Sequence, residues 1–349
     1  MLKTWRTAIA VLGVAAIALP GCGSSDDDSP DSTASTAASG APAAKSIKVG
    51  LVTDVGGLND RSFNFLANKG LQEAKSQLGV DVRVITSKSN ADYIPNLTTL
   101  ARQKYDLVIP VGFLMADATA AVAKKFPDTK FAIIDMPSAA LKGKPTNVTG
   151  ILFKENEAGY LAGYAAGLYA KDNDAKAVSS VGGQKSAPVD GYIAGYQAGA
   201  KAADPGIKTL NGYSQDFVDQ AKCKEVALDQ IAQGSKVVFQ VAGQCGLGAL
   251  DAAKEKGVQG VGVDADQGYL GTYVLTSAVK KIDAAVVAAV KAAQGGTLQG
   301  GTDVVGTVKN GEVGIGALGP EATGYADQLK AIQDTIASGE LKDIPSEVK

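Results

Sequence analysis

The sequence predicts an α/β protein of two lobes, each a parallel sheet flanked by helices, with several hinge strands joining them. Three observations lead there. From Ile47 the chain alternates short β-branched runs with helix-length amphipathic stretches. The runs are almost continuously apolar, as strands covered by helices on both faces are. Ten such strands suit two sheets better than one, and the rhythm restarts near "ILFKENEAGYLAGYAAGLYA".

Taken in order, the expected strands are "IKVGLV", "VDVRVIT", "DLVIPVG", "KFAIID" and "VTGILF", then "AVSSVGG", "IKTLNGY", "KVVFQVAG", "VQGVGVD" and "GTYVLTS". Between most of them lie helical stretches such as "RSFNFLANKGLQEAKSQL", "NLTTLARQK", "DGYIAGYQAGAKAA" and "QAKCKEVALDQIAQ". Strands linked this way form right-handed crossovers and parallel sheets. The first lobe is expected over 46–152 plus about 266–300, the helix near 279–294 returning to it. The second takes 153–265 plus part of about 301–349 with the hinge. "TDVVGTVKNGEVGIGALG" reads as a hairpin turning at Asn310-Gly311, and a last amphipathic helix follows near 322–338.

Lys3 and Arg6 precede the apolar run "AIAVLGVAAIALP", which reads as a secretory signal over 1–21 rather than a spanning helix. The mature chain is thus expected outside the cytoplasm. "LPGC" resembles the lipobox of bacterial lipoproteins, with Pro20 an uncommon choice, and makes Cys22 the lipidated first mature residue and the anchor to the cell membrane. Apart from Cys22 and Lys45, residues 22–45 are Ser, Ala, Asp, Thr, Gly and Pro with hardly a large apolar side chain, a tether that cannot bury enough surface to fold. Two further cysteines remain, Cys223 and Cys245. In an oxidising compartment they form either a bridge, adding about 3 kcal/mol, or two free buried thiols.

Composition excludes several functions. With 349 residues, 45% of them hydrophobic, the chain can bury more than one core. A net charge of −2 with scattered lysines and arginines leaves no basic stripe for nucleic acid. There is no histidine, which removes imidazole bases, histidine-dependent nucleophiles and the usual zinc ligand sets. No metal or cofactor is expected. Nothing matches G-x-x-x-x-G-K-[ST], so ATP hydrolysis would belong to partner chains.

Ligands of open α/β sheets sit beyond the carboxyl ends of the strands. The first such end carries Asp54, the Gly56-Gly57 turn, then Asn59, Asp60, Phe63 and Asn64 at the start of a helix. Helix capping accounts for Asn59 or Asp60. It does not account for Phe63, an aromatic at the polar end of a strand, where a ring lines a cleft as readily as it fills a core.

"LVTDVGGLNDRSFN", "ADYIPNLTTLARQKYDLVIPVGF", "FAIID", "QDFVDQAKCKE", "VVFQVAGQCGLGAL", "GVDADQ" and "TSAVKKIDAAV" together resemble the basic membrane protein family, over about residues 47 to 340. These are substrate-binding lipoproteins of ABC importers, whose best-understood branch resembles purine nucleoside receptors. The resemblance implies a type I periplasmic-binding-protein fold, a monomeric receptor, and permease and ATPase partners. It implies that Phe63 stacks on one face of a base and Phe217, from the other lobe, on the opposite face, each stack contributing about 1–3 kcal/mol. Asp54 and Asn64 match positions at the base edge, and Asn59 belongs to the same turn. Asp264 and Lys280 match positions that hold the sugar hydroxyls, Asp135 is a further candidate, and backbone amides around Gly243 complete the site. The chain departs from the family pattern at "AGQCGLG" and "DQAKCKE", where both cysteines fall. That pairing favours the bridge and alters the sugar end of the pocket.

Three other functions remain open or fall. A sugar or an autoinducer could take the place of the nucleoside, since paired aromatics also sandwich pyranoses. A nucleoside-cleaving enzyme lacks histidines and a tight acidic cluster for calcium. A transcriptional repressor on the same fold is excluded by the secretion signal.

Overall fold

The computed structural model describes residues 46–349. The signal segment over 1–21, Cys22 and the tether over 22–45 lie outside the described residues. The chain runs β1 (Lys48–Val52), α1 (Phe63–Leu78), β2 (Asp81–Ile85), α2 (Tyr93–Arg102), β3 (Leu107–Pro110), α3 (Ala116–Lys125), β4 (Lys130–Ile134) and β5 (Val148–Phe153). It repeats the rhythm as α4 (Glu155–Asp172), β6 (Ala177–Gly182), α5 (Ala187–Ala203), β7 (Lys208–Tyr213), α6 (Gln220–Ala232), β8 (Ser235–Val241), α7 (Gly243–Lys256), β9 (Gln259–Asp264) and β10 (Val274–Lys280). It closes with α8 (Ile282–Gln294), β11 (Asp303–Gly306), β12 (Val313–Ile315) and α9 (Ala326–Ser338).

Two sheets result, ordered β2-β1-β3-β4-β5-β11 and β7-β6-β8-β9-β10-β12. The first is parallel throughout, and in the second only β12 runs antiparallel, against β10. Strands β3, β4 and β6 are almost wholly buried while the edge strands β2 and β7 are half-buried and β11 mostly exposed, which explains why the central runs read as continuous apolar sequence. All ten expected strands form.

The chain passes between the sheets three times, from β5 to α4, from β10 to α8 and from β11 to β12. The passages are tied together: Lys154 N donates to Gly306 O at 2.8 Å, Lys281 N to Glu312 O at 2.8 Å, and Val308 N to a Glu157 carboxylate oxygen at 2.7 Å.

Two expectations need correcting. The stretch over 302–319 turns at Asn310-Gly311 but makes no hairpin. Its arms extend different sheets, β11 beside β5 and β12 beside β10, because each sheet offers an open edge with more backbone partners than two short strands could give one another. The segment 266–280 belongs to the second sheet rather than the first lobe, since β10 pairs with β9. Only from α8 does the chain return, packing on α1 where Gly70 lets the backbone of Asp283 approach.

Helices α4 and α5 pack almost backbone to backbone. A Cβ on Gly163 would collide with the carbonyl of Tyr196, and one on Gly199 with that of Tyr160. The disulfide Cys223–Cys245, Cα atoms 5.5 Å apart, staples α6 to α7 on the second sheet.

Candidate functional site

Both sheets share one order, so each has the same switch point, where neighbouring strands send their connections in opposite directions. It lies between β1 and β3 in the first sheet and between β6 and β8 in the second. Residues at or just beyond these ends, Asp54 and Gly56, Phe113, and Val241 to Gln244, line one narrow cavity of about 60 Å³.

The first wall is a hydrogen-bonded knot. Asp60 stands two residues before Ser62, the N-cap of α1, and satisfies the amides at the helix start: its carboxylate accepts from the backbone N–H of Ser62 (3.1 Å), Asn64 (2.7 Å) and Phe65 (3.0 Å). Burial, only partly offset by those bonds, pushes its pKa up to about 6. The Asn64 amide donates to Asp54 Oδ1 at 2.6 Å and to Asp60 Oδ2 at 3.2 Å, and its own oxygen accepts from Asp54 N. Asp54 Oδ1 also accepts from Gly56 N at 2.9 Å. Asn64 is therefore spent on holding Asp54, whose Oδ2 carries no protein hydrogen bond. Burial raises the Asp54 pKa. Capping thus fixes α1 so that Phe63, its first residue, lays its ring against Gly112, where a Cβ would stand 3.2 Å from the ring.

The second wall hangs on a loop. After β7 the chain turns at Gln215 (φ 57°), and Asp216 pins the bend by accepting from Val218 N and Asp219 N and pairing with Lys222 at 2.7 Å. Phe217 follows, its carbonyl accepting from Cys245 N at 3.0 Å. Its ring lies against Gly183, just past β6, where any side chain would overlap it. Across the cleft the ring edge meets Phe113, centroids 6.1 Å apart.

The floor is charged. Asp135 and Asp264 end β4 and β9 in the same left-handed conformation, φ 62° and 60°, unusual for any residue but glycine. Asp264 accepts from Tyr192 OH at 3.1 Å and, across the cleft, from Ser62 Oγ at 2.8 Å. Lys280 ends β10, only 2% exposed. Its ammonium donates to Asp135 Oδ2 at 2.7 Å and Glu155 Oε1 at 3.3 Å, with Asp264 Oδ1 at 3.8 Å. The rings of Phe63, Phe153 and Tyr192 surround it at 5.1, 5.2 and 5.6 Å. Burial opposes the lysine's charge, but the three carboxylates outweigh it and raise its pKa. Burial likewise raises Asp135, and takes Glu155 up to about 8, against the pull of Lys280. Asp135 Oδ1 is buried without a partner, an acceptor open to a ligand donor.

Asp54, Phe63, Asn64, Asp135, Phe217, Gly243, Asp264 and Lys280 therefore come together around one cavity. Asn59 does not. It is exposed and faces a separate hollow with Leu58 and Arg61, because the helix amides that a turn residue would cap are already taken by Asp60. Of the neighbours that sequence could confuse with site residues, Asp266 serves a turn and Lys281 is exposed. Phe113, Tyr192 and Glu155 were not foreseen. Phe113 directly follows a glycine at a strand end, the one local signal available, whereas Tyr192 and Glu155 sit within helices and reach the site through tertiary packing.

The chain matches, over residues 47–345, the model of the family described as ABC transporter substrate-binding protein PnrA-like. The ABC transporter nucleoside-binding protein BmpA of Lactococcus lactis subsp. cremoris is 34% identical over 362 residues, with 97% of each chain covered. An uncharacterized lipoprotein of Pyrococcus abyssi is 36% identical, with 87% of this chain and 76% of that protein covered. A crystal structure of solute-binding proteins of an ABC transporter system from Aeropyrum pernix matches at a TM-score of 0.76 and 27% identity, covering 86% of this chain and 94% of that one.

Proposed function

This chain belongs to the PnrA-like family of ABC transporter substrate-binding proteins, and we propose that it captures a purine nucleoside between its lobes and hands it to an ABC permease. The observation that carries this reading is the pair of phenyl rings, Phe63 and Phe217, that line one cavity from opposite lobes. Each packs against a glycine, Gly112 or Gly183, which leaves room for the ring at the cavity wall. A flat heterocycle between them gains about 1–3 kcal/mol per stack. Asp54 Oδ2 then meets the base edge, and Asp264, Asp135 and the Lys280 ammonium meet the sugar hydroxyls, each charged hydrogen bond contributing about 1.5–3 kcal/mol. Micromolar affinity needs about 8 kcal/mol in all. The cavity holds acceptors in excess of donors, which favours a hydroxyl-rich neutral ligand over a phosphorylated one.

One chain supplies both walls, so the receptor works as a monomer. Lipidation at Cys22 would hold it at the outer face of the cell membrane, with the permease and its ATPase as partners. The relatives are solute-binding proteins, and this chain is read as a carrier rather than a catalyst. The test is calorimetric titration of ligand-stripped protein with guanosine, inosine and D-ribose, followed by chromatography of the mixture. Stoichiometric binding of a nucleoside, recovered intact, is expected. Binding of the sugar alone, or release of free base, would overturn the reading.

A further inference from the structure

Lys280 is held by more than the cavity walls. Glu155 lines a neighbouring hollow rather than the cavity, sharing it with Lys154 and Asn156, and reaches Lys280 from behind. An ammonium has three N–H donors on a freely turning rotor. Asp135 alone takes one of them at 2.7 Å and leaves the rotation undetermined. The second bond, to Glu155 at 3.3 Å, fixes the rotor, and Asp264 at 3.8 Å is too far to take the third. One N–H is thus left for a ligand oxygen.

We propose that Glu155 is a positioning residue for the ligand: it never touches the bound molecule but fixes the Lys280 ammonium that does. The placement supports this. Glu155 opens α4 at one passage between the lobes and Lys280 ends β10 at another, so the bond joins two hinge strands under the site. Phe153, two residues before Glu155, packs its ring against the same ammonium at 5.2 Å. Glu155 is buried with 8% exposure, and Asp135, Asp264 and Tyr192 are the other titratable groups facing it and Lys280. The inference rests on the nucleoside reading above.

The test is guanosine titration of the full chain, stripped of endogenous ligand, with side-chain reach separated from chemical group. Glu155→Gln keeps an acceptor oxygen at full length and should bind within about threefold of the wild type. Glu155→Asp keeps the carboxyl group but withdraws the oxygen, and Glu155→Ala removes it; both should weaken binding about tenfold. In a Lys280→Met background Glu155→Ala should add nothing, since the residue acts only through that ammonium. Unchanged binding in Asp and Ala, a larger loss in Gln than in Asp, or an undiminished loss beside Lys280→Met would each overturn the inference. A wild type that binds no nucleoside would instead overturn the ligand reading, and the inference with it.

Discussion

The two sheets have the same strand order and the same pair of aspartates at β4 and β9, yet they deliver their aromatic rings differently. In the first lobe the ring and its polar supports come from eleven consecutive positions, 54–64, knotted by side-chain hydrogen bonds to the start of α1, and only the glycine floor, Gly112, is supplied from elsewhere. In the second, Phe217 rides on a loop, its floor is Gly183 from another strand, and α6 and α7 beneath it are held by a disulfide. One wall is rigid through hydrogen bonds, the other through a covalent staple. Matching topology therefore does not dictate how a site is made rigid.

Removing the staple should show the asymmetry most strongly. The double substitution Cys223→Ser, Cys245→Ser should lower unfolding stability by about 3 kcal/mol, read by denaturant melts, with protection of α6 and α7 amides falling in hydrogen exchange while α1 keeps its own. Equal loosening of both walls would break the comparison. Next come the rings. Phe63→Ala and Phe217→Ala should each weaken nucleoside binding by about 1–3 kcal/mol, measured by calorimetry, with melting temperature nearly unchanged; a large drop in melting would mean that the ring is core. The floors follow. Gly183→Ala pushes a methyl into the Phe217 ring and should lower affinity by about tenfold, or 1.4 kcal/mol. Gly112→Ala must also hold φ near 107°, so it should lose stability as well as affinity.

Acidity acts on stability rather than on the comparison of the two walls. Burial raises Asp60 to about 6 and Glu155 to about 8. Each acid keeps its proton in the folded chain over a range where the unfolded chain has lost it, so each contributes stability that is lost as pH rises from about its ordinary value to its raised one. Asp216, held down to about 2 chiefly by its bond to Lys222, acts the opposite way but only below pH 4. The melting temperature should fall steadily between pH 5 and pH 8.5, and Glu155→Gln should flatten the upper part. A rising curve would contradict the assigned burial.

The asymmetry also explains what could be read from sequence. The knot at 54–64 was legible because its residues are neighbours, and the strands because central burial leaves continuous apolar runs. Even there Asn59 misled: it sits beside Asp60, and only the geometry says which of two adjacent turn residues takes the helix amides. The second wall had no local signature, and its residues were found by resemblance to family motifs. Glu155 and Tyr192 lay hidden in ordinary helical stretches. The apparent hairpin failed because pairing between β11 and β12 competes with two open sheet edges, a contest that no local pattern records.

Every reading of the cavity depends on a planar group lying between the two rings. A crystal structure of the protein with guanosine tests this directly: the purine should lie between Phe63 and Phe217, its edge at Asp54 and its ribose at Asp264 and Lys280. A purine bound elsewhere, or either ring turned away into its own lobe, would contradict it.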